Sequence, residues 1–309
     1  MLTDMMHSSI PFADALPLEI GTRLLSSAPL AVANDRYEEV LVGGLKTACV
    51  SRQQLADIMV QDCLANRASE TKRPKLVFAS NGHGIAFAGM HDTYKQYFDQ
   101  ADIIHADGQI VVFASKLLTS AAIPERSTTT DFIHDALKTG AEHGLRFFLL
   151  GATEEVNAKC VEILRATYPD AQIVGRRHGY FSRDEEDEII DDINLTCPDV
   201  VFVGLGVEAE YAFSVRNRDR LNAGWVVTCG GCYNYVTGDY GRAPQWMQSA
   251  GLEWLFRLAL EPRRLFWRYA VTNPVALFLL LTRTAALSPK KPRKPSVFPS
   301  LQRVHHAAR

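Results

Sequence analysis

The sequence predicts an α/β fold: a mostly parallel sheet with helices on both faces, followed by a helical C-terminal appendage. Three observations predict it. Short apolar runs of the kind buried on both sides recur from Val40 to Cys229, amphipathic helical stretches alternate with them, and from Glu253 to Tyr269 the pattern changes to helical sequence rich in Trp, Phe, Leu and Arg. The 309 residues are 47% hydrophobic and 22% charged, enough for one sizeable core with extensions.

Residues 1–36 lack a sustained period and read as an N-terminal arm, and 37–248 as the α/β domain. Val40–Val42 reads as a strand. Ser51 with Gln54 forms a capping box for a helix reaching Arg67. Leu76–Ala79 is a strand and Gly84–Phe98 a helix. Ile103–His105 is a strand ending at Asp107-Gly108, before a helix through Leu118. Asp131–His143 is helical and stops at Gly144. The strand Phe147–Leu150 runs into Gly151, and Thr153 caps a helix with Glu154 and Glu155 in its first turn. Ile173-Val174 is a strand, Asp184–Ile193 a helix, and Val200–Val203 a strand closing on Gly204-Leu205-Gly206. A helix then reaches Leu221 before the strand Trp225–Cys229. Active sites of such sheets lie at the carboxyl ends of strands. Asn81, Asp107, Gly151, Gly204 and Gly231 all fall there and could converge on one crevice.

Charge is unevenly placed. The net charge of −2 excludes a whole-chain nucleic-acid signature, yet residues 250–309 hold eleven of the 33 Lys/Arg against only Glu253 and Glu261. That end is suited to an anionic surface. Pro262 should split Glu253–Tyr269 into two helices, with Arg257, Arg264 and Arg268 able to share a face if the break is gentle. The appendage spans 249–288, and 289–309 reads as a disordered basic tail. No basic n-region precedes an apolar run at the N-terminus, and the longest apolar candidate, Val275–Leu281, is too short to span a bilayer. The expected location is the cytoplasm.

Several motifs allow two readings. Gly204 to Ala209 fits the dinucleotide pattern GxGxxG/A, but the next strand ends in Cys229-Gly230-Gly231 without the acid that a ribose needs. A phosphate at that helix N-terminus is still compatible. Asp107 could take a proton from an attacking hydroxyl or cap the following helix. Asn81 could cap a helix or hold a sugar hydroxyl. Arg126 with Ser127 to Asp131 could bind a nucleotide or cap a helix. Cys229 and Cys232 have CxxC spacing, but buried thiols beside a tight turn are the simpler reading than metal or redox use. The histidines form no HxH or HxxxH set, there is no Asp-x-Asp metal handle, and the acids at 184–192 suit a solvated helix face.

A longer signature is more specific. Gly238-Asp239-Tyr240-Gly241-Arg242-Ala243-Pro244-Gln245-Trp246-Met247 is followed by Gly251 to Leu258, by Glu261-Pro262-Arg263-Arg264 and by Arg268-Tyr269. With Asn81, Ala106-Asp107-Gly108, Arg126 and Asp131, these residues resemble the WecG/TagA/CpsF family of glycosyltransferases over about Leu41 to Tyr269. The resemblance implies a Rossmann-like core and an inverting transfer without metal or other cofactor. The donor would be a UDP-sugar of N-acetylmannosamine or glucose type, and the acceptor a polyprenyl-diphosphate-linked sugar for surface polysaccharide. It implies Asp107 as base, with Asn81, Arg126 and Asp131 matching its motifs; together with the strand-end glycines Gly151, Gly204, Gly206 and Gly231 and with Glu208, these are the candidates for the donor site. Arg242, Arg257, Arg264 and Arg268 are implied at diphosphate or acceptor, on the inner face of the cell membrane. A homo-oligomer is compatible with it. Two places depart from the family. Its usual Pro-Lys/Arg-Gln-Glu after Gly-x-Gly reads Glu208-Ala209-Glu210-Tyr211, and its Phe-Asp-Phe reads Tyr233-Asn234-Tyr235. The first change admits a catalytically silent relative that acts as a binding partner.

Overall fold

The computed structural model describes residues 36–287; the expected basic tail at 289–309, and the arm apart from Arg36, lie outside the described residues. Six strands form one parallel sheet: β3 (Lys75–Ser80), β4 (Ile103–Ala106), β5 (Arg146–Gly151), β6 (Gln172–Arg177), β7 (Val200–Gly204) and β8 (Trp225–Thr228). Their order is β4-β3-β8-β7-β5-β6. Alternate side chains leave the sheet on opposite faces, and both faces are covered. Phe78, Ile104, Leu150, Val201, Val203 and Val226 enter one cluster. It is completed by residues of α2 (Gly82–Met90), α3 (Asp92–Asp99), α4 (Gln109–Leu118), α7 (Glu186–Leu195) and α8 (Val207–Arg216). Val77, Ile103, Phe147, Leu149, Phe202 and Trp225 enter the other, against α1 (Arg52–Ala68), α5 (Thr129–Glu142) and α6 (Glu154–Thr167). Beneath Trp225 the buried Asp62 carboxylate accepts from the indole Nε1 at 2.9 Å and from Lys75 Nζ at 2.8 Å, so its charge is paired.

The Ser51–Gln54 capping box forms with both bonds present, as the sequence predicts. Three expectations change. The single helix over Gly84–Phe98 is two, because His91 adopts an extended backbone between α2 and α3. The turn swings Tyr94 and Phe98 onto Phe78 and Tyr211. The helix expected to reach Leu221 stops at Arg216, where the buried Asn217 amide donates to Glu186 at 3.2 Å. A hairpin also joins β1 (Glu39–Val42) to β2 (Leu45–Ala48) through Gly43 and Gly44, both at positive φ as a tight two-residue turn requires.

The appendage is integrated with this core. Past α9 (Cys232–Val236) and α10 (Gln245–Ser249), α11 (Glu253–Leu260) and α12 (Pro262–Thr282) are separated at Glu261, with Pro262 at the first position of α12. Leu279 and Leu280 of α12 join the first core cluster. A Cβ on Gly89 of α2 would lie 2.3 Å from Leu279 Cδ1, so glycine permits the contact of the two helices. Beyond α12, β9 (Ala285–Ala286) pairs antiparallel with β1, and Gly44 N–H donates to the Arg283 carbonyl at 2.8 Å. The 21-residue α12 is long and apolar enough to cross a bilayer by length and composition, which corrects the expectation that no segment reaches that length. The apolar run is short, but the helix continues through it from Pro262. Leu265, Thr272, Ala276, Leu279 and Leu280 are its buried residues, and the strand after it returns to the domain.

Where β5 and β7 end side by side, their backbones nearly touch. Gly151 sits at φ +138, and a Cβ there would be 2.2 Å from the Gly204 carbonyl oxygen. Gly151→Ala is therefore expected to cost about 3 kcal/mol, lowering the denaturation midpoint with the m-value unchanged. An unaltered midpoint would refute this packing.

Candidate active site

The sequence-selected residues at the sheet's carboxyl end occupy one edge, but only some meet. Asn81 directly follows β3 and Asp107 directly follows β4, on adjacent parallel strands. Asn81 Nδ2 donates to Asp107 Oδ2 at 3.0 Å, while Asn81 Oδ1 accepts from Gly84 N–H at 3.0 Å and caps α2. The cap reading of Asn81 is thus realised, and its amide nitrogen is turned to Asp107. Thr129 N–H, in the first turn of α5, donates to Asp107 Oδ1 at 3.3 Å. The following helix α4 has no side-chain cap; its N-cap is Gly108. Asp107 therefore does not cap its own helix. It is aimed by Asn81 and by the positive end of α5. Gly108 lets the two strand ends approach closely: a Cβ there would stand 3.1 Å from the Asn81 Cα.

Arg126, Asp131 and Arg242 form a second cluster. Arg242 pairs with Asp131, which also accepts from Thr128 Oγ1 at 2.9 Å and lies 3.1 Å from Arg52. Asp131 is held below the usual carboxylate range: burial pushes it upward, but Arg242, Thr128 and Arg52 together outweigh that. Arg126 donates to Glu253 at 2.7 Å, and both Arg126 and Arg242 donate to Gln248 Oε1 at 2.9 Å. These contacts latch α10 and the first turn of α11 onto the α/β domain. Arg242 accordingly stands apart from the other three candidate arginines.

Those three share one locality. Arg264 pairs with Glu261 at 2.6 Å. The Glu261 carboxyl is held below its ordinary value, chiefly by that bond, with Arg257 and Arg268 adding to it. Arg257 lies over the Tyr235 ring, 5.9 Å from its centroid, and Arg268 over Tyr269 at 5.1 Å. The break falls at Glu261, and all three arginines act on its carboxyl. His83, two residues after Asn81, is pushed down to about 3 by burial and then by Arg268 and Arg257. Its Nδ1 is buried without a hydrogen-bond partner. Tyr235 links the regions: burial raises its phenol, and it feels both Arg257 and Asp107. The arrangement is a half-buried carboxylate next to a cationic pocket with aromatic walls. Such a pair can accept a proton on one side and balance phosphate charge on the other.

The glycines serve differently. Gly204 and Gly151 lie three and four strands from β4, so Gly151 is roughly 19 Å from Asp107 by strand spacing. Gly206 caps α8 at φ +90, with open space where a Cβ would point. Glu208 is exposed in the first turn of α8, where it suits the helix dipole but would repel a phosphate. Gly231 is exposed at the N-cap of α9. Cys229 and Cys232 are buried and unpaired, and burial raises both thiols well above the usual range. Sequence reasoning missed His83 and Tyr235. His83 stood next to a selected asparagine, but nothing local placed two arginines beside it. A cleft of about 410 Å³ at the opposite end of the sheet is lined by Asn66, Arg67, Arg146 and Asp199, whose Arg67–Asp199 pair anchors strand starts.

The model of the glycosyl transferase WecG/TagA/CpsF family matches residues 40–290. The chain is 30% identical over 191 residues to an N-acetylglucosaminyldiphosphoundecaprenol N-acetyl-beta-D-mannosaminyltransferase of Bacillus spizizenii, covering 62% of this chain and 72% of that one. A protein of the same description from Staphylococcus aureus is 26% identical over 207 residues, 67% of this chain and 80% of its own length. The match takes in Asn81, Asp107 and the arginine-bearing helices alike, and the chain belongs to the WecG/TagA/CpsF family of glycosyltransferases.

Proposed function

We propose that this glycosyltransferase moves an N-acetylmannosamine- or glucose-type sugar from UDP to a polyprenyl-diphosphate-linked acceptor, inverting the anomeric centre, in bacterial surface polysaccharide synthesis. The observation that carries the reading is Asp107, fixed by Asn81 and Thr129 N–H beside an arginine pocket. The carboxylate takes the proton of the acceptor hydroxyl as that oxygen bonds to the anomeric carbon. The bond to the UDP oxygen breaks, and its electron pair leaves with the diphosphate. Arg257, Arg264 and Arg268 supply the counter-charge for a diphosphate without recourse to a metal. The relatives' printed names support the lipid-linked acceptor and the mannosaminyl donor. The test offers UDP-N-acetylmannosamine, UDP-glucose and related donors with undecaprenyl-diphosphate-linked N-acetylglucosamine. Acceptor-dependent UDP release is expected with one donor; no release with any refutes the reading.

A silent, scaffold-like relative is the second reading, favoured by Glu208 at the N-terminus of α8, where a phosphate would meet a negative charge. Calorimetry with UDP and turnover together separate the two, since binding with turnover rejects the silent form.

The same reading locates the enzyme on the cytoplasmic membrane face. Trp254, Leu255, Leu260, Phe266, Trp267, Leu277, Phe278 and Leu281 are exposed on α11 and α12 beside Arg257, Arg263, Arg264 and Arg268. Apolar side chains with a basic rim suit an interface with anionic lipid. Deleting 250–309 should abolish co-sedimentation with anionic vesicles while the full chain sediments. Because α12 also packs on the core, Trp267→Ser with Phe278→Ser is the folded control and should weaken sedimentation as well. Undiminished sedimentation of both variants contradicts the membrane face.

A further inference from the structure

Glu210 lies in the first turn of α8 and is only 4% exposed. Its Oε2 accepts from Gly230 N–H at 2.8 Å. Gly230 sits at φ +52 in the turn joining β8 to α9, and a Cβ on Gly204 would be 2.9 Å from the Gly230 carbonyl oxygen. The turn is therefore held between the end of β7 and the Glu210 side chain. The ionisable groups that bear on Glu210 are Asp107 at the end of β4, Cys229 at the end of β8, Tyr94 on α3 and Tyr211 beside it. None is a cation.

We infer that Glu210 is a positioning residue that works as a neutral carboxylic acid, holding the Gly230–Gly231 turn against the sheet next to Asp107; this rests on the transferase reading. An ionised carboxylate buried without a counter-charge is strongly disfavoured, and one hydrogen bond from a backbone amide offsets little of that. Burial accordingly pushes the Glu210 carboxyl well above its ordinary range, the Asp107 charge adds to the push, and the Gly230 N–H opposes it. A neutral acid offers one donor and one acceptor, as an amide does. With its proton on, Glu210 is therefore close to an isostere of glutamine. Once the proton leaves, a second negative charge without a counter-ion is buried facing Asp107. Two carboxyls with environments this different take separate roles.

The experiment uses the full chain with Glu210→Gln and Glu210→Ala. In the folded protein the acid keeps its proton at pH values where the unfolded chain, with an ordinary glutamate near 4.3, has lost it. The folded state then binds more protons, so wild-type stability falls as pH rises through this window. Glu210→Gln removes that loss, and its Tm is expected to exceed wild type by a margin that widens from about pH 5 to about pH 8. Transfer by the wild type should fall several-fold on the alkaline side, while Glu210→Gln keeps a flat limb there and Glu210→Ala loses about tenfold at neutral pH, the amide rescuing what alanine does not. Parallel Tm curves for wild type and Glu210→Gln, or an alkaline limb unchanged by the substitution, would overturn the inference. A widening Tm margin in a protein that turns over no UDP-sugar would support the neutral Glu210 and refute the transferase reading instead.

Discussion

Asp107→Asn is expected to lower transfer roughly a thousandfold, within the range that a positioned general base contributes. The fold should survive. The new amide oxygen can still accept from Thr129 N–H, but its NH₂ would then face the Asn81 Nδ2 donor. Asn81 cannot turn over without surrendering the bond from Gly84 N–H that caps α2. One donor–donor conflict at a half-exposed site should cost about 1 kcal/mol. UDP affinity, measured by calorimetry, should stay within a few-fold, because Asp107 contacts the acceptor in this account and not the nucleotide. A variant with full turnover would exclude Asp107 as the base.

Removing two arginines should have the next largest effect. Arg257→Ala with Arg268→Ala deletes two charges from the cluster around Glu261 and His83. Charge-assisted bonds to phosphate are worth about 1.5–3 kcal/mol each, so the pair should cost on the order of 10²–10⁴ in kcat/KM. The split of that loss identifies the partner. A fall in kcat marks charge on the departing UDP, and a rise in KM for the lipid marks the acceptor's diphosphate. A kcat/KM within threefold of wild type would remove these arginines from the mechanism. His83 reports the same cluster without activity. Its folded pKa of about 3 lies below the ordinary histidine value. Between those two values the unfolded state binds more protons, so stability is present above about pH 6.5 and is lost as pH falls toward 3. In the double variant the arginine part of that shift goes, so the acid loss should still begin near pH 6.5 but level off at a higher pH and be smaller.

Much of this architecture is legible in the chain because its signals are local. Apolar runs such as Phe147–Leu150 and Val200–Val203 are buried on both sides, and capping residues such as Ser51 and Thr153 accept the bonds their positions imply. Pro262 sets the break in the appendage for the same reason, since its ring fixes a helix start. The turn at His91 was not legible, because it is set by the tertiary cluster of Tyr94, Phe98, Phe78 and Tyr211. The hairpin at Gly43-Gly44 was not legible in the sequence either, because its two strands are only four residues each and β1 finds its other partner, β9, across the fold. At the site, Asn81 and Asp107 could be selected because strand ends are predictable. The pairing of Arg126 with Glu253, 127 residues away, could not. Nor could the protonation of Glu210, since it depends on what is absent around a buried carboxyl rather than on any motif.

The central claim is that Asp107 activates the acceptor hydroxyl for a single direct displacement. The configuration of the new glycosidic bond tests it most directly. Product made by the wild type from an α-linked UDP-sugar and a lipid-linked acceptor would be analysed by NMR for its anomeric coupling. The account predicts a β-linkage, formed by attack from the face opposite the departing UDP. An α-linked product would contradict it, because retention requires two displacements or a front-face route in which a lone base at Asp107 has no part.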